Sequence, residues 1–343
     1  MTSIHGVFHN VSSVRNLRTS YDVPAASRGL CVNTLAVVME RPELLVLSRL
    51  DLTPATDDDV TVDIEWSGIS TGTERLLWSG RMPAFPGMGY PLVPGYESVG
   101  RISAAGSRSG GRVGDRVFVP GAKCFGDVRG LFGGAAARVV LPGARTMAFD
   151  EQLGEQGVLL ALAATAYHAH SIAGAQQPDL IVGHGVLGRM IARLALVAGG
   201  APVVWETNAA RRDGAAGYSV VDPAGDTRRD YRCICDVSGD STLLDTLIGR
   251  LAPGGEVVLA GFYDEPLSFV FPPAFMREAR IRIAAQWQPN DLVAVKDLAE
   301  SGRLSLDGLI THRADAMQAD RAYRTAFGDP ACLKMILDWR ACS

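Results

Sequence analysis

The chain has 343 residues, too many for one compact core and about right for two domains. Hydrophobic residues make up 47% and charged residues 20%, a globular composition that excludes a disordered chain. The net charge of −4 comes with no basic stripe, which argues against nucleic acid as a partner, and no uncharged apolar run reaches the roughly 18 to 20 residues that cross a bilayer.

Residues 1–33 are polar and without period, and read as a flexible N-terminal extension. They show no apolar core with a cleavage site, so the expected location is the cytoplasm. The six cysteines form no dense framework, in keeping with reduced thiols. From Leu35 the segments LAVVME, LLVLSRLDL, DVTVDIEWSGI, GDRVFVPG and AARVVLPG read as short strands between Gly/Pro turns, a barrel-like domain over 34–148. The period then turns helical in GEQGVLLALAATAYHAHSIAG, ending near Gly174. Buried strands are expected at DLIV, APVVWET, CICDVSG, GGEVVLAGFY and RIRIAAQW, with a helix at LLDTLIGRLAPGG stopped by Pro-Gly-Gly. Alternating strands and helices predict an α/β fold, a doubly wound parallel sheet over 149–288. Residues 289–343 carry a helix at about 290–301 and a terminal strand, ACLKMILDW, in a segment that returns to the first domain.

The sharpest local signal is Leu180-Ile181-Val182-Gly183-His184-Gly185-Val186-Leu187-Gly188, a G-x-G-x-x-G between an apolar strand and an amphipathic helix. Gly183 permits the tight turn, Gly185 lets a pyrophosphate approach the backbone, and Gly188 lets helix and strand pack closely. The helix start, at Val186 and Leu187, offers N–H groups and a positive dipole end to phosphates. Glu206, 18 residues beyond Gly188, suits the ribose hydroxyls of an adenosine and would repel a 2′-phosphate, which favours NAD over NADP. Arg211 and Arg212 pull the other way. His184 is either a cofactor contact or a solvated loop residue. Ser238 and Gly261, at the ends of two later strands, complete the expected cofactor set with Glu206. Cys233 and Cys235 share one face of a buried strand and read as small hydrophobes.

The order of these parts resembles the medium-chain dehydrogenase/reductase superfamily. The matching pieces are Gly68-Ile69-Ser70-Thr71-Gly72-Thr73-Glu74, Val93-Pro94-Gly95-Tyr96-Glu97-Ser98-Val99-Gly100, Gly114-Asp115-Arg116-Val117 and the glycine loop, over about residues 35 to 340. The resemblance implies a GroES-like β-barrel catalytic domain beside a Rossmann domain, and a homodimer through the Rossmann edge. GISTGTERLLWSGRMPAFPGMGYPLVPGYESVG, PGAKCFGDVRGLFGG and DVSGDSTLLDTLIGRLAPGGEVVLAGFY narrow it to the bacteriochlorophyll-biosynthesis branch. That branch implies a tetrapyrrole substrate, a bacteriochlorophyllide, whose 3-(1-hydroxyethyl) group is oxidised to 3-acetyl with NAD as acceptor.

The zinc-dependent relatives carry a Cys before G-T-D, a His in G-H-E and a Cys in the following helix. Laying Gly72-Thr73-Glu74 on G-T-D puts Thr71 at the first ligand position, or Ser70 with one residue inserted, while Tyr96 replaces the His and Ala161 the last Cys. A hydroxyl, a phenol and a methyl do not make a zinc site, and the four-Cys structural lobe is absent, so no metal is expected. Thr73 takes the family's proton-relay position and is the first candidate for the substrate hydroxyl. Tyr96 follows, as a phenol whose pKa a nearby cation or dipole would have to lower. Glu97 matches the acidic residue behind the zinc, Glu74 is a base or a partner for Arg75, and His168 is a candidate acid/base on the helix of the lost ligand.

A macrocycle needs a wide apolar cleft, and the loop Met82–Pro91 offers Met, Pro and aromatics for one. Arg75, Arg81 or Arg129 would pair with the pigment's propionate, and Lys123 is a further polar residue near the cleft. Two rivals stand beside this reading: a zinc-free NADPH-dependent quinone or enone reductase, and a nucleotide-gated pigment carrier without turnover.

Overall fold

The computed structural model describes residues 15–16, 32–171 and 176–342; the expected N-terminal extension and the helix end near Gly174 lie largely outside them. The first half is built of β1 (Arg15–Asn16), β2 (Asn33–Arg41), β3 (Leu44–Asp51), β4 (Asp59–Ile69), α1 (Thr73–Ser79), β5 (Leu92–Val93), β6 (Ser98–Ala105), β7 (Arg116–Val119), β8 (Arg129–Gly130), β9 (Arg138–Pro142) and β10 (Met147–Ala148). Their strands form two sheets, one ordered β1-β3-β2-β5-β8 and one in which β4 pairs with both β6 and β9. An Ala36–Ala136 bridge joins the sheets around an aliphatic core of alternating inward residues such as Val60, Val62 and Ile64.

A kinked 3-10 stretch, Glu151–Leu159, leads into α2 (Leu160–Ser171). Then follow β11 (Leu180–Val182), α3 (Val186–Val197), β12 (Val203–Trp205), β13 (Ser219–Val221), β14 (Tyr231–Asp236), α4 (Leu244–Arg250), β15 (Leu251–Leu259), α5 (Phe271–Met276) and β16 (Arg280–Ile283). The six strands make an all-parallel sheet ordered β13-β12-β11-β14-β15-β16, the doubly wound arrangement that the strand–helix alternation predicts. Pro253-Gly254-Gly255 does not separate helix from strand. It lies inside β15, where the pairing steps from Tyr231–Leu251 to Cys233–Glu256, so the turn residues form a bulge in the strand.

The chain ends with α6 (Pro289–Glu300), β17 (Ile310–Asp315), α7 (Ala319–Gly328) and β18 (Lys334–Asp338). Strand β18 runs antiparallel to β4, with Met335 opposite Ile69, and Trp339 Nε1 donates to Ser67 Oγ at 2.8 Å. This return sets Lys334 beside Ser70. No helix among the described residues is long and apolar enough to cross a membrane.

Candidate active site

The order of strands in the parallel sheet reverses at β11, whose neighbours are β12 on one side and β14 on the other. A crevice outside the carboxyl ends of β11 and β14 is the ligand position this topology provides. Gly183 follows β11 and Ser238 follows β14. Gly183 sits at φ +103°, and a Cβ there would meet Ser238 Cα at 3.4 Å, so the two loops lie side by side. A Cβ on Gly188 would stand 1.9 Å from Gly183 O, so only glycine fits where α3 crosses the loop. A Cβ on Gly185 would meet nothing within 4 Å, and this open space is the cradle a pyrophosphate needs. No side chain caps α3, which leaves the N–H groups at Val186 and Leu187 for the same purpose.

Glu206 ends β12 and is buried. Its Oε1 accepts from Asn208 N at 2.8 Å and its Oε2 from His184 N at 3.1 Å, which ties the carboxylate to the glycine loop. Arg211 donates through Nε to Pro330 O at 2.8 Å, and Arg212 to Glu206 O and Asp222, so both cations are engaged within the protein. Ser238 N donates to Asp236 Oδ1 at 2.9 Å, and Gly261 N to Asp236 O at 3.1 Å, which holds both strand ends at the rim.

His184 corrects the expectation. It is fully buried, not solvated: Nδ1 meets Arg211 O at 2.6 Å and Nε2 meets Tyr218 OH at 2.9 Å. Burial pulls its pKa down, so a neutral imidazole props the loop from behind. Arg189 on α3, which the pattern analysis missed, donates to the carbonyls of His184, Arg211, Asp213 and Gly214. It binds the glycine loop to the 211–214 turn.

The second half of the site lies between β4, α1 and the turn before β6. Tyr96 OH stands 2.7 Å from Ser70 Oγ and 3.3 Å from Thr73 Oγ1. Ser70 is therefore the hydroxyl that is buried against Tyr96, and Thr71 is exposed to solvent. Burial, followed by the charge of Glu97, holds the Tyr96 hydroxyl well above the ordinary phenol range. Among the described residues no cation lowers it, and Tyr96 stands here as a hydrogen-bonding phenol.

Behind these hydroxyls lies a buried polar layer. Glu74 does not pair with Arg75. Its Oε1 accepts from Ser70 N at 3.1 Å and its Oε2 from Tyr323 OH at 2.6 Å. Burial raises its pKa to about 7. Lys334 Nζ donates to Glu97 Oε2 at 2.6 Å and to Ile69 O at 3.0 Å, while Glu97 Oε1 has no hydrogen-bond partner. A Cβ at Gly68 would lie 2.4 Å from Glu97 Oε2, so that glycine makes room for the carboxylate. Lys334 and Tyr323 were missed. A lone Lys inside the apolar run Cys332-Leu333-Lys334-Met335-Ile336-Leu337 was the available signal, since a buried cation needs a buried partner.

His168 is not brought to this cluster by any hydrogen bond. Its Nδ1 meets Asp291 Oδ2 at 2.8 Å, and Asp291 also accepts from Gln288 N in the capping box of α6. Arg81 is paired with Asp264 at 2.5 Å, joining the segment after α1 to the segment after β15, and Arg129 donates to Tyr90 O. Arg75 and Lys123 are exposed. Burial pushes the thiols of Cys233, to about 12, and Cys235 up, as inert core residues.

The donor set does not fit catalytic zinc: Ser70, Tyr96 and the buried methyl of Ala161 offer two neutral hydroxyls and no nitrogen or sulfur. Among the described residues no three His, Cys, Asp or Glu side chains gather as a metal set. The coenzyme half does fit a dinucleotide, by the open cradle at Gly185 and the carboxylate of Glu206.

Residues 56–151 match the alcohol dehydrogenase GroES-like domain. The chain is 58% identical to the 2-desacetyl-2-hydroxyethyl bacteriochlorophyllide A dehydrogenase of Rhodobacter capsulatus, over 90% of this chain and 99% of that protein. It is equally similar to the enzyme of that name from Cereibacter sphaeroides, with the same coverage. Among solved structures, 2R,3R-butanediol dehydrogenase from Bacillus subtilis superposes with a TM-score of 0.77 at 19% identity, covering 89% of this chain and 99% of the other. A short chain alcohol dehydrogenase from E. coli CFT073 complexed with NADH gives 0.75 at 20% identity with the same coverage.

Proposed function

Because this chain belongs to the family of 2-desacetyl-2-hydroxyethyl bacteriochlorophyllide A dehydrogenases, we propose that it oxidises the hydroxyethyl side chain of a bacteriochlorophyllide to acetyl, with NAD as acceptor and without catalytic zinc. The observation that carries the substrate is identity of 58% along 99% of that dehydrogenase. Oxidation removes a hydride from the carbinol carbon and a proton from its oxygen. Bound NAD supplies the hydride acceptor.

The chain's own groups handle the proton. Thr73 Oγ1 is the hydroxyl that meets the substrate oxygen. Tyr96, kept neutral, takes a proton on one lone pair as it gives its own to Ser70, so it relays without ionising. Ser70 Oγ closes the hydroxyl chain and hands the proton on to water, while Glu74, which accepts only the backbone N–H of Ser70, holds that residue in place. Glu97 and Lys334 cancel each other's charge beneath the relay. His168 is left as a packing partner of α6.

Glu206 supports NAD, since its carboxylate faces the glycine loop while Arg211 and Arg212 are committed elsewhere. The outer edge of β16 has no strand partner among the described residues, and Phe271, Phe275, Met276 and Ile283 are exposed around it. We read this face as the contact of a homodimer and place the enzyme in the cytoplasm.

The test is to mix purified protein, NAD and 3-(1-hydroxyethyl) bacteriochlorophyllide a, with and without a chelator. The carbonyl joins the ring conjugation, so the long-wavelength pigment band moves to the red as NADH appears. Loss of turnover in chelator would overturn the zinc-free mechanism. Turnover of quinones with NADPH and none of pigment would replace the function with a reductase.

A further inference from the structure

We propose that Phe132 is a specificity-determining wall of the substrate site, against which the flat face of the macrocycle stacks. The inference rests on the function proposed above. Its ring meets the Tyr96 ring edge-on, with centroids 5.3 Å apart and an interplanar angle of 84°, immediately beside the Ser70–Tyr96–Thr73 hydroxyls. Phe132 is 37% exposed, although Leu131 before it and Ala135 after it are buried. Its significance lies in its place, since the open part of the ring borders the three hydroxyls.

The segment is also held rigidly. Leu131 N and Gly133 N both donate to Val93 O at 2.9 Å, one on each side of Phe132. Gly133 lies at φ +84°, where a Cβ would stand 1.9 Å from Ala122 O, and a Cβ on Gly121 would stand 2.2 Å from Phe132 O. Two glycines that admit no side chain thus fix how the ring is displayed. Strand β8, which leads into Phe132, pairs with β5, which follows the apolar loop Met82–Pro91, so that loop lies alongside.

The chemistry requires a contact here. In a 1-hydroxyethyl macrocycle the reacting carbon is bonded directly to the conjugated ring. Any side chain that flanks the hydroxyls handling that carbinol must therefore touch the ring itself. An exposed, immobile phenyl offers the offset or edge contact that aromatic surfaces prefer.

The experiment titrates the enzyme, with NAD present, with the hydroxyethyl pigment and follows pigment fluorescence, for wild type, Phe132→Leu and Phe132→Trp. Stacking predicts that Phe132→Leu raises the pigment Kd and KM about three- to tenfold, the KM for NAD being unchanged, while Phe132→Trp binds as wild type or tighter. Leucine binding as well as phenylalanine would overturn the proposal, as would a wild type that binds no pigment. Wild type that binds pigment but forms no NADH would sink the dehydrogenase reading, and the loss in Phe132→Leu would still support the wall.

Discussion

Ser70 Oγ and Tyr96 OH lie 2.7 Å apart, and the same phenol stands 3.3 Å from Thr73 Oγ1. Two neutral hydroxyls pass a proton and do not polarise an oxygen as a metal does. Tyr96→Phe should therefore lower kcat for pigment oxidation by about a hundredfold, the usual order for one acid/base partner. Thr73→Val should act similarly, and chelators should change neither rate. Steady-state kinetics of the three proteins checks this. A wild-type rate in Tyr96→Phe would remove the relay.

Glu74 should leave its mark on pH in two ways. Ionised, Glu74 is the better acceptor for the N–H that holds Ser70 in the relay, so kcat/KM for oxidation should rise with pH through about 7 and level off above. Glu74→Gln should lack this inflection.

Its effect on stability has the opposite sign. The folded pKa is raised above the ordinary carboxyl value of 4.5, so the folded state binds more protons between those limits, and stability falls as pH climbs from about 4.5 to 7. The full difference is on the order of 3 kcal/mol. Glu74→Gln should melt higher than wild type at pH 8, with the gap closing near pH 5, in thermal unfolding followed by circular dichroism.

The NAD reading makes Glu206 the residue on which coenzyme choice turns. Its two oxygens accept N–H groups of the glycine loop and the next turn, which fixes the carboxylate beside the proposed coenzyme site. Replacing it by serine removes hydrogen bonds to a charged acceptor, each worth about 1.5–3 kcal/mol, and the repulsion of a 2′-phosphate. NAD affinity should fall at least tenfold, and the NAD/NADP ratio of kcat/KM should narrow by more. An unchanged ratio would place the discrimination elsewhere.

The homodimer reading predicts that Ile283→Lys with Phe275→Asp yields a soluble monomer in sedimentation velocity. Those charges would lie on the exposed apolar face of the outermost strand and its neighbouring helix. A wild-type monomer would end this reading.

The parts that could be read along the chain are those whose physics is local. Gly183, Gly185 and Gly188 have meaning within nine residues, and alternation over the first part of β4 marks its buried face directly. The choice between Ser70 and Thr71 was beyond such reading, because only the bend from β4 into α1 decides which hydroxyl turns inward. His184 looked solvated since its partners, Arg211 O and Tyr218 OH, come from a distant turn. Tyr323 and Lys334 meet Glu74 and Glu97 across sequence separations of 249 and 237 residues, through the return of β18 beside β4.

The Lys334–Glu97 pair gives the last prediction. Both side chains are almost wholly buried, Lys334 2% and Glu97 0% exposed, and each is the other's counter-charge. Removing one partner leaves an uncompensated charge in the interior, which costs about 3–5 kcal/mol, whereas replacing both is far milder. Lys334→Met should thus lower the unfolding midpoint in urea sharply. The double variant Lys334→Met with Glu97→Gln should recover most of the loss. Additive effects in this cycle would mean that the pair is not coupled. Recovered stability with little recovered activity would show that its charge pattern also serves the Tyr96 relay above it.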